Sequence, residues 1–368
     1  FIGFWSEDHI TMPIVVNTNT AATTASFNLS RANDALRKSL GRLSSGNRIV
    51  SPADDAGGLA VAYKLASKLK RTEAVRTNVQ NGVSYLQVQD GALSTVGKIL
   101  DRMSELRTMA QDVTKNTGDI ENYSKEFIEL QRQLQQIKND TFNGISLFSN
   151  SAALATGTPP DLRPHLAKDA TAVDDEGRTF SKFSRTLYTH ANGQFADGNV
   201  SLGVTNLQYV LSLGALDTRY ITDATGNNTA ATISAAAGTD GFINLGNVNS
   251  LNSDDLNGAG DPMHDEVFTS DGFLKSIMLV SVGQFTNVIQ RLADVRAENG
   301  AELSRLNMTN ELLIQNQTNL EAAHGRIMDA DIALESTRFA RQNVLVQASA
   351  AMVAQANQLT SIALQILG

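Results

Sequence analysis

LSSGNRIVSPADDAGGLAV (Leu43–Val61) interrupts a chain whose flanks on both sides carry the period of a helix. Upstream, Ala22, Ala25, Leu29, Ala32, Leu36, Ser39 and Leu43 recur at alternating spacings of 3 and 4. That is the seam of a coiled coil, and it predicts a helix over Thr18–Leu43. An Ala-rich seam buries little area, so the helix needs close neighbours. Within the break, Ser45 and Gly46 supply a stop, with Gly46 free to take a left-handed cap. Ser51 suits an N-cap, Pro52 the first helical position, and Asp54 and Asp55 the first turn, where the helix dipole favours negative charge. A second helix is therefore expected from Pro52 to about Thr114. Gly57 and Gly58 each weaken a helix by ~1 kcal/mol relative to Ala, so together they predict the close approach of another backbone. By itself the stretch reads equally well as a linker between two helices.

Beyond it, Val79, Leu86, Leu93 and Leu100 are seven apart, with Val75, Val83, Val96 and Met103 beside them. Periodicity sustained that long indicates a rod rather than a globular helix. Phe127, Leu130, Leu134 and Ile137 place a third helix over Ser124–Lys138. TFNGISLF (Thr141–Phe148) follows, and its Asn143–Gly144 is a hairpin signal. Helix resumes near Phe273 and runs to about Arg326. At the end, Leu345, Ala348, Met352, Gln355, Leu359, Ile362 and Ile366 repeat the 3 and 4 spacing of the beginning.

The middle differs in kind. Residues 151–270 carry 6 basic and 14 acidic side chains, whereas the remainder carries 24 of each, so the whole net charge of −8 lies there. Short β-like runs such as NVSLGV and TRYIT stand between turn residues such as DATGNN. The expected fold is mainly α: a hairpin-shaped chain with terminal coiled-coil helices, an α-helical rod domain with a small β-hairpin, and a β-rich or irregular outer insertion. The insertion carries no heptads, so replacing it by a short linker is expected to leave assembly intact. Its acidity excludes nucleic acid as its partner. No run approaches the ~18 apolar residues of a membrane span, so no membrane insertion is expected. The start lacks the basic, apolar and small-residue segments of a secretory signal. There is no cysteine, which leaves an extracellular address open.

MPIVVNTNT (Met12–Thr20), the Leu43–Val61 break, TFNGISLF, RIMDADIALES (Arg326–Ser336) and QASAAMVAQANQLTSIALQIL (Gln347–Leu367) together resemble bacterial flagellin over about 12–150 and 273–368. The resemblance implies an inner domain from 12–50 and 331–368, a rod from 51–150 and 271–330, and a variable outer domain at 151–270. Residues 1–11 precede the family's start and read as an extra segment, an upstream extension or an artefact. The family forms a helical homopolymer, the flagellar filament. Its members are secreted by the flagellar export apparatus with an export chaperone, and meet the filament cap and hook-junction proteins. Ala22, Ala25, Leu29, Ala32, Leu36, Leu43, Leu345, Ala348, Met352, Leu359, Ile362 and Ile366 then form the assembly seam. Ser45, Gly46, Ser51, Pro52, Asp54 and Asp55 form the interdomain connector. The resemblance also implies terminal helices that are disordered in the monomer and fold on joining neighbours. Leu100–Gln111 resembles the segment read by a host innate immune receptor, with Arg102, Glu105 and Leu106 matching its core and the downstream Gln displaced; filament packing is the competing role.

Catalytic chemistry is not indicated. The five histidines (His9, His165, His190, His264, His324) are scattered, and HDEVF at His264 lacks the second histidine of a zinc-protease helix. Asp174–Asp175–Glu176 and Asp254–Asp255 read as solvated surface. No cofactor and no metal are expected. A hook–filament junction protein, a filament-displayed enzyme and a soluble coiled-coil tether are the competing readings.

Overall fold

The computed structural model describes residues 19–149, 166–173, 179–213, 243–246, 267, 269 and 272–367. Helices α1 (Thr20–Ser45), α2 (Ala56–Ala110) and α3 (Thr117–Lys138) open the chain, and α4 (Val282–Met328) and α5 (Ile332–Leu367) close it. Between α3 and α4 lie β1 (Thr141–Phe142), β2 (Ile145–Ser146), β3 (Phe148–Ser149), β4 (Leu166–Val173), β5 (Thr179–Tyr188), β6 (Asn199–Asn206), β7 (Ser212–Leu213) and β8 (Ile243–Asn244). Residues 1–11, TRYIT, DATGNN, Asp174–Asp175–Glu176, Asp254–Asp255, His9, His165 and His264 lie outside the described residues. The chain forms two compact units: Arg71–Asn316, and the two ends up to Lys70 and from Gln317. The divisions fall inside α2 and α4 rather than at the helix breaks where the sequence suggests domain boundaries.

In the unit Arg71–Asn316, the predicted heptad of α2 is the core: Val79, Leu86, Leu93 and Leu100 are fully buried, with Val96 and Met103 beside them. Phe127 of α3 meets Phe285 of α4 edge to face, with ring centroids 6.5 Å apart, a favourable quadrupole geometry. Helix α3 starts earlier than the apolar period suggests, because Asn116 and Asp119 form a reciprocal capping box. The Asn143–Gly144 signal is realised as a two-residue turn joining β1 and β2, and both residues hold positive φ, 51° and 75°.

The same core takes in part of the region assigned to the outer insertion. NVSLGV is strand β6, and its alternation buries Val200, Leu202 and Val204. Four strands order as β3-β6-β5-β4, with β6 parallel to β3 and antiparallel to β5. Val200, Leu202, Leu207, Val210 and Leu213 belong to one cluster with Leu86, Phe127 and Phe285. The rod core therefore continues past residue 150, a correction to the sequence boundary. Gly82 shows how tightly the layers meet: a Cβ there would stand 3.0 Å from Leu187 of β5.

Buried polar side chains fasten the connecting segments by their backbones. Gln131 of α3 donates to Leu274 O and accepts from Leu274 N, at 3.0 and 3.1 Å. Arg107 of α2 donates to Val280 O at 2.6 Å. Gln89 donates to Leu147 O and to Gly203 O, and the Glu302 carboxylate accepts from Gly203 N at 2.8 Å. Each clamp supplies a partner to a buried or partly buried backbone group.

Candidate assembly surface

In the unit formed by the chain ends, α1 packs against α5. The helices run antiparallel: Asn19 Nδ2 donates to Ala356 O at 2.8 Å, and Arg42 Nη1 lies 3.8 Å from the Glu335 carboxylate at the other end. On α1 the predicted seam faces inward: Ala32 and Ser39 are buried, and Ala22, Ala25, Leu29, Leu36 and Leu43 are half-buried.

On α5 the inward positions differ from the predicted ones by one residue. Glu335 and Ala356 are buried, and Phe339, Gln342, Val346, Ser349 and Val353 are half-buried, again at spacings of 4 and 3. Leu345 and Met352 instead face solvent, 43% and 62% exposed, and Ala348 is exposed with them. The side chains of Leu359, Ile362 and Ile366 lie outside those described. The offset has a physical origin. Helix α5 carries two adjacent heptad stripes, and the bulkier one attracts the sequence reading. Yet the small residues of α1 admit the slimmer stripe at close approach. No apolar period announces positions such as Glu335, Gln342 and Ser349. The α1 surface away from α5 is likewise apolar in places, with Phe27 62% and Leu40 55% exposed. A shallow groove beside the seam is lined by Thr24, Ala25, Asn28, Ala348 and Met352.

The two helix breaks meet. Gly46, at φ 71°, caps α1 by donating its N–H to Arg42 O at 2.9 Å, and the Ser45 hydroxyl accepts from Asn47 N. Asn47 and Asp329 form an antiparallel bridge, and Ala330 N donates to Gly46 O at 2.9 Å. The restart corrects the sequence reading: Ser51 and Pro52 lie in a turn, and α2 begins at Ala56. Asp55 is its cap, accepting from Gly58 N at 2.8 Å. A Cβ on Gly58 would collide with that carboxylate and stand 3.1 Å from Ile49 Cδ1. The glycine thus makes room for a cap and a side chain, not for another backbone. Replacing Asp55 by Ala removes this bond and is expected to destabilise the start of α2 by about 1 kcal/mol, measurable as faster amide exchange at Leu59 and Ala60.

Asp54 turns back instead. Its carboxylate pairs with Lys38 at 2.6 Å and accepts from Val50 N and Ser51 N. The Lys38 ammonium, with help from these backbone donors, holds the Asp54 carboxyl below the usual range. A lowered folded-state pKa means that this stabilisation is present at neutral pH and is lost as the pH falls through the lowered value.

Of the three residues assigned by resemblance to a host receptor, Leu106 is fully buried in the helical core and offers no surface. Arg102 is solvent-facing and bridges Glu126 of α3 at 2.7 Å and Glu105 at 2.8 Å. Those two carboxylates, Glu126 above all, raise the Arg102 pKa further. Among the described residues no cluster of His, Cys, Asp or Glu has the makings of a metal site. No helix among them is long and apolar enough to cross a membrane.

The family comparison decides what these paired ends belong to. Residues 16–153 match the bacterial flagellin N-terminal helical region, and residues 282–367 match the bacterial flagellin C-terminal helical region. The chain belongs to the bacterial flagellin family. It is 31% identical to a flagellin of Bacillus subtilis, over 96% of this chain and 99% of that relative. It is 27% identical to flagellin A of Vibrio anguillarum, over 97% of this chain and all of that relative. Among solved structures, it resembles the crystal structure of Bacillus cereus flagellin with a TM-score of 0.35 and 20% identity, over 67% of this chain and 94% of that one. A flagellar hook associated protein-3 from Legionella pneumophila aligns with a TM-score of 0.30 and 15% identity, over 81% of this chain and 99% of that one. This flagellin is a structural subunit of the flagellar filament. Nothing in its relatives favours the hook-junction or displayed-enzyme readings.

Proposed function

We propose that this flagellin polymerises through the outer stripe of its terminal helix pair. One observation carries the reading: with α1 and α5 already paired, Leu345 and Met352 still face solvent. A helix normally buries its large apolar side chains, and a row of them left outside marks a surface that another chain covers. Phe27 and Leu40 are further apolar side chains left exposed on α1. The second half of the filament contact then comes from other copies of the same chain. The subunit's role is structural and needs no cofactor. Its earlier partners are the flagellar export apparatus and an export chaperone, and at the growing structure the filament cap and hook-junction proteins. Arg102 and Glu105 remain the candidate contact for a host innate receptor.

The test is seeded assembly. Purified subunits added to sheared filament fragments should extend them into tubes visible by electron microscopy. Subunits that stay soluble at high concentration, with folded spectra, would refute the reading. The small-residue seam also predicts weak terminal pairing before assembly. Limited proteolysis of free subunits should trim up to about Ser51 and from about Asp331, and polymerisation should protect both ends.

A further inference from the structure

The side-chain spacing of the α1–α5 seam repeats along both helices, so by itself it admits more than one register. On α1, Ala22, Ala25, Ala32 and Ser39 share the seam with Leu29, Leu36 and Leu43, and on α5, Glu335, Gln342, Ser349 and Ala356 alternate with Phe339, Val346 and Val353. Both rows repeat every seven residues, so a slide of one heptad, about 10 Å along the helix, sets one repeat against the other again. The backbone bridge at Asn47 and Asp329 resists such a slide at the connector, because a heptad away lies helical backbone already bonded within its own helix; along the helices themselves the side chains must do it. Registers are distinguished by side chains, and polar ones in an apolar seam do so most sharply.

Near the connector, Glu335 is 4% exposed, sunk between the two helices. Its Oε2 lies 3.8 Å from Arg42 Nη1 and 3.3 Å from Arg338 Nη1. At the far end Asn19 does two jobs. Its Oδ1 accepts from Ala22 N to start α1, while its Nδ2 donates to Ala356 O. The Glu335 site is poorly suited to raising stability. The Arg42 contact is longer than a hydrogen bond, and Arg42 Nε is buried without a partner. Buried ion pairs of this quality return little net stability, and fixing a register is their best-attested use. A slide one way sets Glu335 against Leu36 and close to Asp34. A slide the other way carries it past the end of α1. Either loses the Arg42 partner and leaves only Arg338 of its own helix beside the carboxylate, and the first also buries it against an apolar and an acidic neighbour, which is unfavourable.

We propose that Glu335 is a positioning residue for filament assembly: with Arg42, and with Asn19 at the opposite end, it selects one register of α1 against α5. The outer stripe is then presented at one height on every subunit, as a helical homopolymer requires. The proposal rests on the assembly reading above, but its primary readout does not.

The chain has no cysteine, so introduced pairs report register cleanly. Leu29→Cys with Val346→Cys stand opposite one another in the observed register. Leu29→Cys with Phe339→Cys, or with Val353→Cys, report slides of one heptad. In the parent full-length subunit under assembly conditions, oxidation should link only the first pair. In Arg42→Leu/Glu335→Leu, which keeps the site filled, helix content should be retained, the shifted links should rise to yields comparable with the native one, and filament yield should fall several-fold. Glu335→Gln keeps the size and loses the charge; it serves as the second variant should the double one lose helix, and it should also admit shifted links. Exclusive 29–346 linkage in these variants overturns the proposal, whether or not filaments form. Failure of the parent to polymerise while its linkage stays exclusive would count against the assembly reading alone.

Discussion

Replacing residues 151–270 with a short Gly/Ser linker is expected to unfold the unit Arg71–Asn316, while replacing residues 214–242 alone leaves it folded and able to assemble. The larger deletion removes Phe180, Val200, Leu202, Leu207, Val210 and Leu213, all buried. A large apolar side chain contributes roughly 1.5–3 kcal/mol when fully buried, so the loss is on the order of 10 kcal/mol. That equals or exceeds the whole stability of many domains, about 5–15 kcal/mol. The deletion also strips partners from Gln89, Arg291 and Glu302, which bond to Gly203 and Ser212. The smaller replacement touches none of this. Its ends are already side by side, since Ser212 pairs with Asn244 and Leu213 with Ile243. A short turn closes the gap at small entropic cost. Thermal unfolding followed by circular dichroism, with electron microscopy of the product, separates the two. A cooperative transition at the parent temperature in the larger deletion would show that the strands are dispensable to the helical core.

Leu345→Asp/Met352→Asp is expected to abolish polymerisation without disturbing the subunit. Both side chains are exposed, so a carboxylate at either costs the isolated chain little. Covered by a neighbour, each carboxylate is buried without a partner, a penalty of several kcal/mol. Each ~1.4 kcal/mol is tenfold in an association constant, so the pair should lower subunit affinity by about three orders of magnitude or more. Sedimentation of seeded reactions measures it. Val346→Asp, one residue away on the inward stripe, is the contrasting variant. It should weaken the α1–α5 pair itself, seen in seeded reactions as lost helix signal and ends that stay open to protease. Normal filament yield from Leu345→Asp/Met352→Asp would mean that another face makes the contact.

By itself the sequence determined the periodic parts of this flagellin. The heptads of α2, the seam of α1 and the Asn143–Gly144 turn are local patterns, set by helical spacing and by the steric demands of positive φ. Long ordered motifs at both ends carried the family resemblance. Only the tertiary structure decided what depends on which surface meets which. Two heptad stripes on α5 differ by one residue in sequence, and only packing against the small side chains of α1 selects Val346 and Val353 over Leu345 and Met352. Asp55 rather than Ser51 caps α2 because Asp54 is drawn back to Lys38. Strand β6 joins the rod core because it pairs with β3, brought to it from far upstream in the chain, as well as with its neighbour β5. Arg42 and Glu335 gave no signal at all, since a charged residue on a helix reads as solvated until the fold places a second helix over it.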